Sequence, residues 1–288
     1  MTIGADSQVT DLALNDHACL TFCETEELFD LTAAFVRDGL AEGLKVVWVS
    51  DAPQRLRQLT ERGVAVEPAA STGQMTLVTC ESALLTRRAF HADRAMAWLD
   101  DQLATLQGES FNGLRVAIDM SWALRPVTGI EQLPAFEADV ATALAGSRAS
   151  VLCQYDRDRF DPVTLASVTS THNRSVAAAT YHHDAVLRIC RQYAPPGVRL
   201  AGELDHNAAE ALNMALQEAI RLDGDMTVNM ADLHFIDVAS VRTIITAGHS
   251  LPAPRIMTLR CTTRVASLFI HLGALDSPRI NLVTVHDQ

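Results

Sequence analysis

The sequence predicts an α/β protein in which a mostly parallel sheet with flanking helices is followed by a small α/β domain. Three observations lead to this fold class. Short apolar runs rich in β-branched residues alternate with amphipathic helical stretches between residues 18 and 171, which is typical of parallel sheets covered by helices on both faces. Two prolines and a glycine then interrupt the pattern at 195–197, and a shorter alternating unit follows. The length of 288 residues is also enough for about two domains.

Five strands and five helical stretches are predicted in the N-terminal part. The strands are 18–23, 46–50, 76–79, 114–119 and 150–155. The helices are 26–42, 53–63, 91–107, 130–145 and 162–171. Gly43 directly follows the first helix, as a C-terminal glycine often does. Asp161 and Pro162 open the last helix as an N-cap residue and a first-turn proline.

The domain boundary is predicted at residues 193–197, where the sequence Tyr-Ala-Pro-Pro-Gly separates two apolar-periodic regions. The predicted domains are therefore 1–192 and 198–288. In the second domain, strands are predicted at 198–203, 226–230, 256–260 and 280–285, and helices at 208–222, 239–248 and 264–272. This order of elements predicts a compact α/β domain.

The charged residues argue against several classes of function. The chain has 23 basic and 35 acidic residues, a net charge of −12, and Lys45 is its single lysine. The negative balance argues against a nucleic-acid partner and against an anionic membrane surface. Hydrophobic residues follow Lys45, where a phosphate-binding P-loop has Ser or Thr. P-loop chemistry and Schiff-base catalysis therefore have one poor candidate.

The sequence shows no secretion or membrane signal. Residues 1–8 lack a basic stretch followed by an apolar core, and no window approaches 18 uninterrupted apolar residues. The six cysteines are widely spaced, and Cys19 and Cys23 are too far apart for a CxxC redox pair. We therefore expect a cytoplasmic protein with reduced, mostly buried thiols.

Two stretches of the C-terminal domain carry a family resemblance. They are Leu-Ala-Gly-Glu-Leu-Asp-His-Asn-Ala-Ala-Glu at 200–210 and Asp-Leu-His-Phe-Ile-Asp-Val-Ala-Ser-Val at 232–241. Residues 198–285 resemble the STAS domain of anti-sigma factor antagonists. The resemblance implies that a serine at the start of a helix accepts phosphate from a partner kinase, which is itself the anti-sigma factor. The unphosphorylated form then binds that kinase and releases the sigma factor.

The sequence departs from the family at the phosphoacceptor position. The family motif usually reads Asp-Ser-Ser-Gly; Asp237 matches the aspartate, whereas Val238, Ala239 and Ser240 replace the other three residues. Neither valine nor alanine can accept a phosphate. Three interpretations follow: the domain binds a partner constitutively, it is controlled by something other than phosphorylation, or Ser240 is a displaced acceptor. A shift of two positions turns a helical side chain by roughly 200°, which disfavours Ser240.

The predicted partner-binding residues are Asp205, Asp237, Val238, Ala239 and Ser240. Asp205 and Asp237 match acidic positions of the family site, and N-capping of the elements that follow explains them equally well. A phosphoryl group at a helix N-terminus would meet free backbone N–H groups and would then repel a bound partner. Without the hydroxyl, the sequence favours a binding module over a phosphorylation switch.

Five segments of the N-terminal domain, between residue 16 and about residue 180, resemble the MEDS domain, the methanogen/methylotroph DcmR-type sensory domain. The more specific ones are Asp-Met-Ser-Trp-Ala at 119–123 and Cys-Gln-Tyr-Asp at 153–156. The others are His-Ala-Cys-Leu at 17–20, Phe-Val-Arg-Asp-Gly-Leu at 35–40 and Phe-Glu-Ala at 136–138. The resemblance implies a RecA-like α/β fold that senses small molecules, with hydrocarbon-derived signals proposed for the family.

The predicted ligand-binding residues are His17, Cys19, Asp119, Trp122, Tyr155 and His172. Ligands of parallel α/β sheets bind at the carboxyl ends of strands, where Asp119, Trp122 and Tyr155 are expected. Ordinary structural roles remain as alternatives: Asp119 as a capping residue, Trp122 and Tyr155 as core residues, and His172 as a helix cap. No metal site is predicted, because the cysteines and histidines lack the close paired spacing of zinc ligands.

Together these features predict a non-catalytic signalling regulator of a bacterium, without a cofactor. Its N-terminal domain would sense a small ligand or a partner, and its STAS-like domain would bind an anti-sigma factor or another regulatory protein. Two alternatives stay open: a structural scaffold of a signalling assembly, and a nucleotide-dependent enzyme built on the RecA-like domain. Exposed edge strands are also compatible with a homodimer.

Overall fold

The computed structural model describes residues 7–285 and divides the chain into two compact units, with the division between Ala177 and Ala178. We call the part before this division unit 1 and the part after it unit 2. The outer ends of the predicted domains, residues 1 and 288, lie outside the described residues. Among the helices within residues 7–285, none combines the length and the apolar character needed to cross a membrane.

Unit 1 is built around a parallel sheet. Its strands are β1 (His17–Phe22), β2 (Lys45–Val49), β3 (Met75–Val78), β4 (Leu85–Thr86), β5 (Ala89–Phe90), β6 (Leu114–Asp119), β7 (Ala149–Asp156) and β8 (Arg174–Val176). Its α-helices are α1 (Thr25–Ala41), α2 (Leu56–Glu61), α3 (Val66–Ser71), α4 (Cys80–Ala83), α5 (Ala92–Leu106), α6 (Leu133–Leu144) and α7 (Pro162–Thr171). Six of these strands form one sheet in the order β3-β2-β6-β7-β1-β8, with parallel pairing throughout. The short strands β4 and β5 form a separate hairpin.

Helices cover both faces of this sheet. Adjacent residues of a strand point to opposite faces, so Gln154 and Tyr155 of β7 mark the two sides. The amide of Gln154 donates a hydrogen bond to Thr32 of α1 (2.8 Å), whereas the hydroxyl of Tyr155 donates to Glu137 of α6. Every residue of β2 and β6 is buried, as expected for central strands of a covered parallel sheet.

Unit 2 contains a second, mixed sheet. Its strands are β9 (Thr180–His183), β10 (Leu187–Tyr193), β11 (Pro196–Leu204), β12 (Met226–Met230), β13 (Leu233–Ile236), β14 (Met257–Thr262) and β15 (Ile280–Val285). Its α-helices are α8 (Ala209–Leu222), α9 (Val238–Ser250) and α10 (Thr263–His271). The strand order is β15-β14-β12-β11-β10-β9, and β13 pairs with β11 beyond the end of β12. The predicted fold class is confirmed for both parts of the chain.

The predicted boundary at 193–197 requires a correction, because it lies inside unit 2. The strands β9 and β10 form an antiparallel meander with β11, and residues 193–196 are the hairpin turn between β10 and β11. Gly197 adopts a φ of 149°, and a Cβ atom there would collide with the backbone carbonyl of Thr227 in the neighbouring β12. A glycine is therefore needed here because β11 and β12 approach closely, and it is not part of a linker between domains.

Candidate functional site

A group of polar side chains in unit 1 surrounds the carboxylate of Glu137, which is completely buried. Its Oε2 atom lies 3.1 Å from Nε2 of His17 and 3.4 Å from Nε2 of His172. The Sγ atom of Cys153 lies 3.6 Å from that same Oε2 and 3.6 Å from Nε2 of His17. The hydroxyl of Tyr155 donates to the other carboxylate oxygen, Oε1. We call these five residues the Glu137 centre.

Four elements bring these side chains together. His17 is the first residue of β1, and Cys153 and Tyr155 lie two positions apart on the adjacent strand β7. Residues two apart in a strand point to the same face, and this face is covered by α6, which carries Glu137. His172 directly follows the last residue of α7. Residues that are far apart in sequence therefore converge on one carboxylate.

Two effects shift the pKa values of the residues in this centre: their burial, and the charge of the carboxylate of Glu137. Burial raises the pKa of Glu137, but the hydrogen bond from His17 and the nearby imidazole of His172 outweigh it, so the net shift is downward. Burial lowers the pKa of His172 to about 4, against the opposing effect of Glu137. Burial and the charge of Glu137 raise the pKa values of Cys153 and Tyr155. Near neutral pH, an ionised Glu137 therefore faces a neutral His172, a thiol and a phenol.

The structure brings together three of the six predicted ligand-binding residues, namely His17, Tyr155 and His172. Cys19 belongs to the same strand as His17 and is paired with Cys153 in the register of β1 and β7. Its Sγ atom lies 3.9 Å from the hydroxyl of Thr169. Cys19 therefore borders the centre.

Asp119 lies in a different network. Its Oδ2 atom accepts hydrogen bonds from Ser50 (3.2 Å) and from Nη1 of Arg55 (2.5 Å), and its Oδ1 atom accepts one from the backbone N–H of Ser121 (3.0 Å). In the sheet register Asp119 is opposite Gln154, so it points away from the face that carries the Glu137 centre. These contacts match the capping and hydrogen-bonding alternative for Asp119.

Trp122 is a core residue. Its side chain is fully buried, and its ring centroid lies 4.8 Å from that of Phe90. Phe90 in turn makes an edge-to-face contact with Phe136, at 5.6 Å. Trp122 therefore has the packing of a core residue, which was one of the two alternatives for it. Tyr155 is equally buried, but it also donates a hydrogen bond to Glu137.

Two members of the centre, Glu137 and Cys153, were not predicted as site residues. Glu137 has a recognisable signal, because it lies on the same helical stripe as the buried Leu133, Phe136, Val140 and Leu144 of α6. An acidic residue on an apolar stripe is unusual and needs a compensating partner. Cys153 has no such signal, since a buried cysteine in a strand reads as an ordinary apolar residue.

The second site lies in unit 2, where two parallel strands end side by side. Asp205 follows β11 and Asp237 follows β13, which is paired with β11. The Oδ1 atom of Asp237 accepts a hydrogen bond from the backbone N–H of Ser240 (2.7 Å) and so caps α9. Asp205 accepts one from the backbone N–H of Asn207 (2.9 Å). Both aspartates therefore serve as capping residues, and the two sequence motifs meet in space.

The residues after Asp237 differ in exposure. Val238 is 51% exposed and Ala239 is also exposed, whereas Ser240 is only 3% exposed. Burial raises the pKa of Asp237, but hydrogen bonds with Ser240 and with the backbone N–H of His206 together outweigh it, so the net shift is downward. The start of α9 therefore presents an apolar side chain beside an ionised aspartate.

The fold and these two sites define a two-part α/β protein, in which a parallel-sheet unit with a buried polar centre precedes a mixed-sheet unit with an exposed helix start. The model of the MEDS family, the MEthanogen/methylotroph, DcmR Sensory domain, matches residues 16–173, which is more than half of the chain. The chain belongs to this family. The STAS domain model matches residues 193–272. Both predicted resemblances are confirmed, and this combination of domains indicates a signalling or anti-sigma factor antagonist-like regulator.

Two solved structures are distantly similar. One is a KaiC-like protein from the hyperthermophilic archaeon Pyrococcus horikoshii OT3, with a TM-score of 0.45 and 12% identity over 62% of this chain and 79% of that one. The other is the flagellar accessory protein FlaH from Methanocaldococcus jannaschii, with a TM-score of 0.43 and 10% identity over 65% of this chain and 83% of that one. No curated protein matches the chain.

Proposed function

We propose that this chain is a non-catalytic regulator whose STAS domain binds an anti-sigma factor or a related regulatory protein without prior dephosphorylation. In this proposal the MEDS domain senses a small ligand or a partner. The observation that carries the proposal is the exposure of Val238 at the first position of α9. This is the position at which the family resemblance would have a phosphoacceptor serine, and a valine side chain at this position cannot acquire the charge of a phosphoryl group.

The surroundings of Val238 favour a protein partner. Phe235 on the preceding strand β13 is 48% exposed, so two large apolar side chains lie within four residues of each other on the surface. Exposed apolar groups that are clustered, rather than scattered, mark interaction sites. A cavity of about 160 Å³ lies next to Phe235 and is lined in part by Asp205 and Val186. A partner that binds there can use the apolar side chain of Phe235 together with the polar groups that line the cavity.

Ser240 is a poor substitute for the missing acceptor. Ser240 is only 3% exposed, and its backbone N–H donates a hydrogen bond to the capping residue Asp237. A kinase would have to unwind the start of α9 to reach the hydroxyl. A phosphoryl group of about −1.5 to −2 charges would then be buried beside an aspartate, which is strongly unfavourable. The proposal therefore excludes Ser240 as a displaced acceptor. It is compatible with constitutive binding and with control by something other than phosphorylation.

The test measures binding of the full chain to a panel of ATP-binding anti-sigma kinases. We expect at least one complex that forms directly and that ATP does not dissociate. Val238→Asp should weaken this complex at least tenfold, because it places a charge in an apolar contact, and a tenfold change is about 1.4 kcal/mol. Val238→Ser should make the complex sensitive to ATP, because it restores a hydroxyl at the acceptor position.

Val163→Asp is the matched control, since Val163 is a 79% exposed valine in the first turn of α7 in unit 1. This variant should bind like the unmodified chain. The proposal fails when no kinase of the panel binds, or when Val238→Asp and Val163→Asp bind equally well.

A further inference from the structure

The Glu137 centre has the dimensions of a metal site. One ligand atom from each of His17, Glu137, Cys153 and His172 lies within 4.8 Å of all the others, and all four residues are buried. In a tetrahedral zinc site, with bonds of about 2.0–2.1 Å to nitrogen or oxygen and about 2.3 Å to sulfur, neighbouring ligand atoms are roughly 3.3–3.6 Å apart. Four of the six separations between these atoms are close to those values: Oε2 of Glu137 lies 3.1 Å from Nε2 of His17 and 3.4 Å from Nε2 of His172, and Sγ of Cys153 lies 3.6 Å from Oε2 of Glu137 and 3.6 Å from Nε2 of His17. These edges fit one cation at the centre.

We propose that the Glu137 centre binds one zinc-class divalent cation through Nε2 of His17, Oε2 of Glu137, Sγ of Cys153 and Nε2 of His172. This inference goes beyond the proposed function and does not depend on the identity of the partner of unit 2. The ligands come from β1, α6, β7 and the end of α7, so the cation would join four elements of unit 1. Four protein ligands without an open position are typical of structural zinc sites.

Further hydrogen bonds orient two of the ligands. The Nδ1 atom of His172 lies 2.6 Å from the backbone carbonyl of Val168, which accepts its hydrogen and leaves the lone pair of Nε2 directed at the centre. Tyr155 donates to Oε1 of Glu137 and so leaves Oε2 on the side of the imidazoles and the thiol. Metal-binding histidines and carboxylates usually have partners of this kind, which fix the geometry of the ligand.

The charges of the donor set also suit a divalent cation. A carboxylate and a thiolate together neutralise two positive charges, so the filled site would carry no net charge in a fully buried place. Cys153 would lose its thiol proton to solvent when its sulfur bonds to the cation. Imidazole and thiolate ligands favour zinc and similar transition metals over calcium and magnesium, which prefer oxygen atoms.

The test uses the full chain produced in medium supplemented with zinc or with cobalt(II), then dialysed and analysed for metal content. We expect one bound metal per chain. The cobalt form should show ligand-field absorption of tetrahedral cobalt and a thiolate-to-cobalt charge-transfer band, a signature that needs no variant and is independent of any activity. A preparation without bound metal, or a cobalt form without the thiolate band, overturns the proposal.

Cys153→Ser and Cys80→Ser form a matched pair. Cys80 is also a buried thiol of unit 1, but it lies at the start of α4, where its backbone N–H donates to Asp51 (2.7 Å). Cys153→Ser should abolish the charge-transfer band and lower the metal content, and Cys80→Ser should leave both unchanged. A Cys153→Ser variant that keeps the band contradicts the assignment of the sulfur ligand.

Discussion

A carboxylate removed from water is strongly destabilising unless hydrogen bonds or opposite charges compensate it. Glu137 receives this compensation from His17 on β1, from β7 and from His172. The hydroxyl of Tyr155 on β7 donates a hydrogen bond to its Oε1 atom. Because these partners come from different elements, the loss of one leaves the carboxylate partly unsatisfied in a place that water does not reach. Substitution of any one partner of Glu137 should therefore lower the free energy of unfolding of unit 1.

Tyr155→Phe tests this at a single atom. The substitution removes only the hydroxyl that donates to Glu137 and leaves the packing of the ring, so we expect a loss of about 2 kcal/mol in the free energy of unfolding of unit 1. Urea unfolding followed by tryptophan fluorescence measures it, because Trp48, Trp98 and Trp122 all belong to unit 1.

Tyr181→Phe is the control for this measurement, since Tyr181 donates to Glu218 (3.0 Å) in unit 2. It should not move the tryptophan transition. Equal midpoints for Tyr155→Phe and the unmodified chain would show that the buried hydroxyl does not stabilise unit 1.

The sequence predicted part of this centre for a physical reason. Tyr155 was expected near the carboxyl end of a strand and His172 directly after a helix, whereas His17 opens a segment that resembles the MEDS domain. Glu137 and Cys153 lie in the middle of α6 and β7, and their convergence depends on how the elements pack. No spacing along the chain contains that information.

At the scale of elements, the start of α7 was predicted from the side chain that fixes it. Asp161 caps α7 as predicted: Oδ1 accepts from the backbone N–H groups of Val163 (3.1 Å) and Thr164 (2.9 Å). Oδ2 accepts from the hydroxyl of Thr164 (2.6 Å). These bonds lower the pKa of Asp161. The cap is therefore fully effective above the ordinary aspartate pKa, and its contribution is lost as the pH falls through the lowered value.

Asp161→Ala should lower the stability of α7, because it leaves two backbone N–H groups at the start of the helix without their acceptor. Hydrogen exchange followed by mass spectrometry should show exchange about fivefold faster in peptides that cover Pro162–Thr171. Asp158→Ala, which changes an exposed aspartate of the preceding loop, is the control. Identical exchange in the two variants would argue against capping by Asp161.

The boundary between the units was predicted at the wrong place, at residues 193–197 instead of between Ala177 and Ala178. The same Pro-Pro-Gly signal marks a linker or a hairpin turn, and here it lies in a hairpin. The strand before it, β10, contains the buried Arg188 and Arg191, so it does not read as an apolar strand. Arg191 is compensated by an ion pair with Asp223, a contact that becomes visible only once β10 and α8 are packed together.

At the scale of the whole molecule, the position of the single lysine bears on the enzyme alternative. Lys45 opens β2, and its Nζ atom binds both oxygens of Glu109, at 2.6 and 2.9 Å. Asp119 closes the parallel neighbour β6, whose first residue is paired with Lys45. The two residues therefore lie at opposite edges of the sheet, roughly 15 Å apart along the strands. Near Asp119 the cations Arg55 and Arg125 are held by Asp119 and Asp51.

We therefore expect no hydrolysis of ATP by the full chain, because no lysine reaches the edge of the sheet at which Asp119 could hold a magnesium ion. The measurement is release of inorganic phosphate from magnesium ATP, and the expected rate equals that of buffer alone. Asp119→Asn and, as its control, Asp139→Asn on the exposed side of α6 should give the same baseline. Phosphate release that is present in the unmodified chain and in Asp139→Asn but lost in Asp119→Asn would contradict the non-catalytic proposal and make unit 1 a nucleotide-dependent enzyme.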